Sequence, residues 1–561
     1  MATQGVDGDY EKGFGAKTEV QDAHTSNEYD VQSGAPRDLK RHLQGRHMQM
    51  IAIGGAIGAG FFVGSGSALE KGGPASLVIC FIIIGLMLLV TMQALGELTV
   101  LFPVNGAFYS YAVRFIDPAV GFGVGWNYAI QWLTVLPFEL TAASITIDYW
   151  DPTGRIDKAV WVGVFLFVLI IIQCFGVRGY GEVEFFLSFI KVTATIGFII
   201  LAIIIDCGGV PTQPYFDNGS RYIGARYWYD PGAFQHGFKG FCAVFVTASF
   251  AFGGTELTGL AAAESANPLK AIPQATKQVF WRISIFYVLG LFLVGLVVSS
   301  TNERLLGVGE SYTSASPFVI AIDQAGIKVL PSIFNAVITI SVISVANSCA
   351  YASTRTLQAM GKSGHAPSFL AYVDKAGRPV FCILLQIAFG FLAFVIDVPN
   401  GDTESAFFNW LLALSGLSNF FIWGSICLSH VRFRSAWKAQ GRTLDEIPYK
   451  AAFGVWGSLF GLFLVVLCLM AQFYVALYPV SGPQLDPTGF FQAYLAAFII
   501  LFSYVFWKLW TRNFSLYVRA SEMDVTTGLR GDLHELHQEA EVVQEEATWA
   551  NLPYRAFRAV F

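Results

Sequence analysis

The chain has 561 residues, of which 54% are hydrophobic and only 13% charged, with 50 phenylalanines and a formal net charge of -5; an ordinary soluble domain is charged at about 25% of its positions. Together with a mean hydropathy of +0.53, the charge deficit excludes a soluble multidomain protein and makes lipid part of the solvent. A net-acidic chain without a basic block also excludes nucleic acid as a partner, because phosphate binding needs a clustered Lys/Arg field.

Residues 1–48 are polar and charged, a composition that favours disorder. They show no apolar stretch behind a basic start, so no cleavable signal peptide is expected, and the first apolar helix must direct insertion. From 49 to 510, apolar runs alternate with short polar joints, giving about twelve segments of the roughly 20-residue length that spans a bilayer. Runs without formal charge are Ala75–Leu95, Ala159–Val177, Ile283–Val298, Leu330–Thr354, Val380–Ile396, Ala406–Ser429, Ala451–Leu477 and Phe490–Trp507. Four others carry or adjoin polar groups: Met50–Leu69, Ala119–Ile147 with Glu139, Phe185–Ile205 with Lys191, and Gly240–Ala263 with Glu256. The expected architecture is an all-α membrane protein, a twelve-helix domain at 49–510 between cytoplasmic tails at 1–48 and 511–561. In the second tail, Leu529–Glu541 has helical spacing suited to lying along the cytoplasmic face.

Orientation follows from Lys/Arg in alternate joints, since positive charge is retained inside. With the N-terminus inside, twenty basic residues, among them Arg37, Arg46, Arg114, Arg355 and Arg434, fall on the cytoplasmic side against seven outside. Asn218-Gly219-Ser220, a glycosylation acceptor pattern, falls in the longest external joint. The 8 cysteines lie almost all in apolar runs and form no disulfide framework or CxxC knuckle, and the 8 histidines fall in tails, loops or at the edges of apolar runs. No metal or organic cofactor is expected. Gly361-Lys362-Ser363 resembles the end of a P-loop, but Thr356 stands where its first Gly belongs, which argues against an ATP-driven pump.

The chemistry therefore rests on interrupted helices and intramembrane charges. The first span contains six glycines between Ile53 and Gly66, and the sixth contains Gly253-Gly254 at its middle, within Ser249–Gly259. Such runs make poor continuous helices. Two broken spans five helices apart are the arrangement of a five-plus-five inverted repeat whose breaks meet at the midplane. Exposed amides there suit a carboxylate and freed carbonyls an ammonium, so together they fit a zwitterion. The alternative is that Gly54/Gly58 and Gly60/Gly64 only let helices pack closely.

Three segments carry a resemblance: Gly55–Gly66, Leu136–Ser144, and Gly254-Thr255-Glu256-Leu257 through Ala261–Pro268 followed by Lys277–Arg282. Over residues 37–520 the chain resembles fungal amino acid permeases of the amino acid, polyamine and organocation superfamily, nearest the general amino acid permease branch. The resemblance implies a plasma-membrane, proton-coupled importer of L-amino acids with a LeuT-like fold of ten core helices plus two, the proton being its only coupling ion. It places the substrate carboxylate on the amides around Gly58, Ala59 and Gly60, and the ammonium on carbonyls near Ala56, Ile57 and Phe250, with Ala251 and Gly253 beside them. Phe250 becomes the aromatic gate, against the plainer reading of a core aromatic. The family commonly has Thr where this chain has Ala59, so one hydroxyl contact is missing.

Lys191 matches the superfamily's fifth-helix lysine, which in some members takes the place of a sodium ion. Counting from Phe185 puts it about 9 Å from the cytoplasmic side, and Glu256, counted back from Ala263, lies about 10 Å from the same side. Both are candidates for proton coupling; the alternatives are snorkelling for Lys191 and a static anchor of the helix break for Glu256. Glu139, about 30 Å along its span, is a candidate substrate or outer-vestibule contact, or an interfacial carboxylate. Glu97, Arg282 and Glu264 read as charges snorkelling at cytoplasmic helix ends, with structural or gating roles. In related permeases, lysines such as Lys12 and Lys17 receive ubiquitin, which implies ubiquitin-ligase trafficking machinery as a partner. A channel or a receptor without transport is less well matched, since two repeat-related breaks favour alternating access. A narrower specificity, for basic amino acids or proline, and an added sensing role stay open.

Overall fold

A computed structural model describes residues 43–529 except 56, 148, 152, 217–218, 266, 306–315 and 398–400, with backbone alone at 396–397, 401–409 and 412–413. The regular structure of the described residues is all helical, with no strand beyond one isolated bridge, Leu43 to Ser265. In chain order the α-helices are α1 Gly45–Gly54, α2 Ser65–Leu101, α3 Ala107–Phe115, α4 Pro118–Ile147, α5 Lys158–Cys174 and α6 Gly176–Asp206. They continue as α7 Gly237–Phe252, α8 Leu257–Ala262, α9 Pro268–Arg282, α10 Gly290–Val297, α11 Pro317–Gln324 and α12 Leu330–Lys362. The last are α13 Val380–Gly390, α14 Gly401–Ala439, α15 Gly454–Leu477, α16 Pro487–Ala493 and α17 Leu495–Thr511.

Seven stretches among the described residues are long and apolar enough to cross a membrane: Gly60–Leu101, Pro118–Ile147, Gly176–Asp206, Gly237–Ala262, Pro268–Val297, Leu330–Lys362 and Gly454–Leu477. The pair α16 and α17, bent by 69°, makes an eighth if it is one span, and Lys158–Cys174 and Val380–Val395 are shorter apolar helices. The first of these stretches is not straight. Gly73 interrupts it at φ 78°, a conformation open to glycine, and Pro74 begins the following helix, where its missing N–H costs nothing.

Several helix starts are written in the sequence. Asp157 accepts from the Ala159 amide at 2.8 Å, Asp486 from Gly489 at 2.8 Å, and Asn267 from Lys270 at 3.3 Å with Pro268 behind it. Each satisfies an amide that a helix N-terminus leaves open. Other helices run past the apolar windows. The first begins at Gly45, before the expected boundary at 48, and the stretch expected from Ile283 begins at Pro268. Polar first turns hide those starts from a hydropathy count.

The core is one large apolar cluster with two small satellites, around Leu133 and around Tyr109. Its inner helices α4 and α12 pack along each other, while α5, α6 and α15 present phenylalanines and isoleucines such as Phe167, Phe186, Ile200 and Phe463 outward. In lipid these outward faces are solvated by acyl chains.

Candidate functional site

Two interruptions lie side by side. After α1 the chain leaves the helix at Gly55 and turns helical again at Ala59, passing through a π-helical stretch, Gly60–Gly64. After α7 it leaves at Gly253 and resumes at α8, with Gly254 at φ 91°. A Cβ on Gly60 would lie 2.8 Å from the Ala251 Cα and from the Phe250 ring, and one on Gly254 would lie 3.7 Å from the Gly55 carbonyl. At Gly60 the contact leaves room for glycine alone; at Gly254 the space is ordinary and the positive φ is what favours glycine. Close packing also operates: Cβ atoms on Gly54 and Gly58 would lie 2.2 Å from Ser188 and 2.3 Å from Val345.

Arg282 holds the breaks together from α9. Its guanidinium donates to the Ala52 carbonyl at 2.7 Å and to the Thr255 hydroxyl, and it is buried. The Tyr287 hydroxyl donates to the Ala251 carbonyl at 2.8 Å. Arg282 is thus midway along a continuous helical stretch, Pro268–Val297, rather than at a helix end. The snorkelling expectation fails equally for Glu97 and Glu264, both buried. Glu97 meets Arg434 at 2.6 Å and His430 at 3.1 Å, and Glu264 meets Arg355 at 2.9 Å. His430, directly after the apolar run Ala406–Ser429, lies buried within α14, which continues past that run.

Between the breaks is a cavity of about 20 Å³ lined by Gly58, Ala59, Gly60, Phe250 and Gly253 from the interrupted segments. Gln131, Trp132, Val135 and Glu139 from α4, Val345 from α12 and Ser415 from α14 complete it. That volume holds about one water, so admitting a larger molecule requires the walls to part. Gly58, Ala59 and Gly60 open a helical stretch, the position whose amides lack intrahelical acceptors. The Phe250 ring is half-buried and packs edge-on against Phe138 at 5.5 Å, and its carbonyl already accepts from the Gly253 amide at 3.1 Å. Ile57 and Ala251 are buried next to these groups. Ala56 and Asn218 lie outside the described residues, as do Lys12, Lys17 and Leu529–Glu541 beyond its first residue.

Glu139 faces this cavity at 1% exposure, and its Oε2 has no hydrogen-bond partner. An interfacial carboxylate would be hydrated, so that alternative does not describe it. Gln131 donates to Asn419 at 2.8 Å, leaving its carbonyl oxygen without a partner, and Asn419 donates to the Ser249 carbonyl at 3.0 Å. Sequence reading missed Gln131, Ser415 and Asn419. Uncharged polar residues on helices hundreds of positions apart carry no local signature.

Lys191 and Glu256 belong to separate clusters. α6 starts at Gly176, so Lys191 is about 22 Å along it and Glu184 about 12 Å. The Lys191 ammonium donates to the Ser344 hydroxyl at 2.8 Å and lies 3.5 Å from the Glu184 carboxylate; all three are fully buried, so Lys191 does not snorkel. The Ser344 hydroxyl reaches both Glu184 oxygens at 2.8 and 2.7 Å, and the Ser188 hydroxyl donates at 3.0 Å. Glu184 was missed although Glu184, Ser188 and Lys191, spaced four and three apart, share one helical face. Glu256 instead accepts from the Gly254 amide and the Tyr128 hydroxyl at 3.3 Å and from the Trp423 indole at 3.4 Å, so it ties the second break to α4 and α14.

A family model described as "Amino acid permease" matches residues 47–519. The chain is 53% identical to the cationic amino acid transporter 1 of Schizosaccharomyces pombe, over 88% of this chain and 82% of that protein. It is 50% identical to the amino-acid permease inda1 of Hypocrea atroviridis, covering 93% and 90%. To the general amino-acid permease GAP1 of Saccharomyces cerevisiae it is also 50% identical, covering 92% and 85%. Among solved structures, a manganese transporter of Eremococcus coleocola aligns over 83% of this chain and 93% of its own at 13% identity and a TM-score of 0.49.

Proposed function

The chain belongs to the amino acid permease family, and on that premise we propose that it imports L-amino acids across the plasma membrane by proton symport, with broad specificity. The observation that carries this reading is the cavity where two interrupted helices face each other, with Gly58, Ala59 and Gly60 at the start of one helical stretch and Phe250 and Gly253 at the end of another. Helix-opening amides favour a carboxylate, and carbonyls of the unwound segments favour an ammonium. The breaks after Gly54 and Phe252 become those of helices one and six in a twelve-helix, five-plus-five arrangement. Twenty basic residues in one set of joints against seven in the other support cytoplasmic termini. Phe250, half-buried at the cavity wall, is the gate in this reading.

One observation favours a narrower cargo. The Glu139 carboxylate, with one oxygen unpartnered in the cavity wall, would neutralise a cationic side chain. The relative named a cationic amino acid transporter is consistent with that reading. A panel of the twenty amino acids competing with labelled arginine in proteoliposomes decides. Inhibition across the panel supports broad import, inhibition by lysine and arginine alone supports the cationic reading, and no competition by any amino acid sinks both.

A further inference from the structure

We infer that Glu184 is the residue to which Lys191 passes the coupled proton on its way to the cytoplasm; this rests on the proton-symport reading. Glu139 lines the cavity between the breaks, whereas Glu184 lies 3.5 Å from the Lys191 ammonium and two helical turns nearer the start of α6, the cytoplasmic end in this reading. The other charged and titratable groups around the pair are committed elsewhere. Arg282 holds Ala52 and Thr255, Arg355 holds Glu264, and His47 of α1 faces Glu182 at 3.3 Å. The Tyr180 hydroxyl lies 3.4 Å from that of Ser348, and Tyr351 donates to Glu264 at 3.3 Å.

The hydroxyl of Ser344 completes the route. It accepts from the Lys191 ammonium and donates to Glu184. A concerted shift breaks one N–H bond of the ammonium and forms an O–H bond on Ser344, while the original Ser344 O–H breaks and a new O–H forms on Glu184. The products are a neutral amine, an unchanged serine and a neutral carboxylic acid, with no net charge created in the low-dielectric interior. Below the pair, Asn347 is fully buried with both side-chain polar atoms unpartnered. Such a group calls for a bound water.

The test uses full-length protein in liposomes, with amino acid counterflow at equal pH and accumulation driven by an acid exterior measured on the same preparation. Glu184→Gln is expected to retain counterflow and to lose accumulation above equal inside and outside concentrations. Wild-type accumulation in Glu184→Gln overturns the inference and leaves the symport reading standing; loss of counterflow in a folded variant also overturns it, by making Glu184 structural. If the wild-type protein shows no acid-driven accumulation, the symport reading itself falls. Should Glu184→Gln not fold, Ser344→Ala decides: slowed accumulation with normal counterflow supports the relay, and an unchanged rate of acid-driven accumulation refutes it.

Discussion

Glu184 and Glu256 are both carboxylates with no solvent exposure, and they are held in different ways. Glu184 takes bonds of 2.7–3.0 Å from two serine hydroxyls and has an ammonium 3.5 Å away. Glu256 takes longer bonds of 3.3–3.4 Å from an amide, a phenol and an indole, all neutral donors. A buried carboxylate facing a lysine forms a pair whose charge can be created or cancelled by moving one proton. A buried carboxylate facing only backbone and aromatic donors fixes the positions of what it touches. On the proposed symport reading the two sites divide coupling from architecture, although in sequence each is simply an acid in or beside an apolar run.

The largest effect expected from breaking this division comes from Lys191→Ala. It removes the cation from Glu184 and leaves an uncompensated buried carboxylate, which costs about 3–5 kcal/mol when one partner of a buried pair is deleted. Acid-driven accumulation should disappear while residual counterflow persists in protein selected for folding. Normal accumulation by Lys191→Ala in proteoliposomes would remove the pair from the coupling path.

A buried base at the aqueous boundary sharpens the comparison. His365, in the segment after α12, sits 2.5 Å from the Tyr109 hydroxyl and beside the Trp507 ring, and its imidazole faces no carboxylate in these contacts. Burial pushes it down to about 4. The unfolded histidine, near about 6.5, takes up its proton first. The stability His365 confers is thus complete above about pH 6.5 and lost as the pH falls toward about 4, a loss of about 3 kcal/mol at 1.36 kcal/mol per unit. Thermal unfolding of the detergent-solubilised protein between pH 7.5 and 4.5 should show this slope, and His365→Gln should flatten it. An equal slope in both proteins would assign acid sensitivity to other groups.

How much of this was legible depended on whether a residue announces itself locally. Gly58, Gly60 and Gly253 could be named because glycine runs interrupt a helix wherever they occur, and Phe250 because of the resemblance; the structure gathers them around one cavity. Glu139 was named because a charge in an apolar run is conspicuous. Gln131, Ser415 and Asn419 were not, since only tertiary packing of α4 against α14 makes neighbours of them. Arg282, Glu97 and Glu264 were assigned to helix ends because amphipathic turns lower local hydropathy before the helix stops. The α9 helix, whose first turns carry Lys270 and Lys277, shows how far that can mislead. Glu184 was missed for the same reason, being set beside the end of an apolar window that α6 overruns by nine residues, from Gly176 to Glu184.

The smallest effect on coupling, and the sharpest test of the division, is expected from Glu256→Gln. With its carbonyl at the Oε1 position the amide keeps two of the three donors, the Gly254 amide and the Tyr128 hydroxyl, as weaker uncharged bonds, but its NH2 group turns a donor toward the Trp423 indole. An unsatisfied buried donor costs about 1–3 kcal/mol, so the melting temperature should fall. Its second consequence follows from the Gly254 amide, which Glu256 fixes at the middle of the break. Loosening that loop spreads the positions of Phe250 and Gly253, so the apparent KM should rise. The number of protons moved per amino acid should stay at the wild-type value, because no step of transfer from Lys191 passes through Glu256. If Glu256→Gln instead abolishes acid-driven accumulation with counterflow intact, the roles of the two acids are reversed, and the neutral cage around Glu256 must open to admit a proton during the cycle.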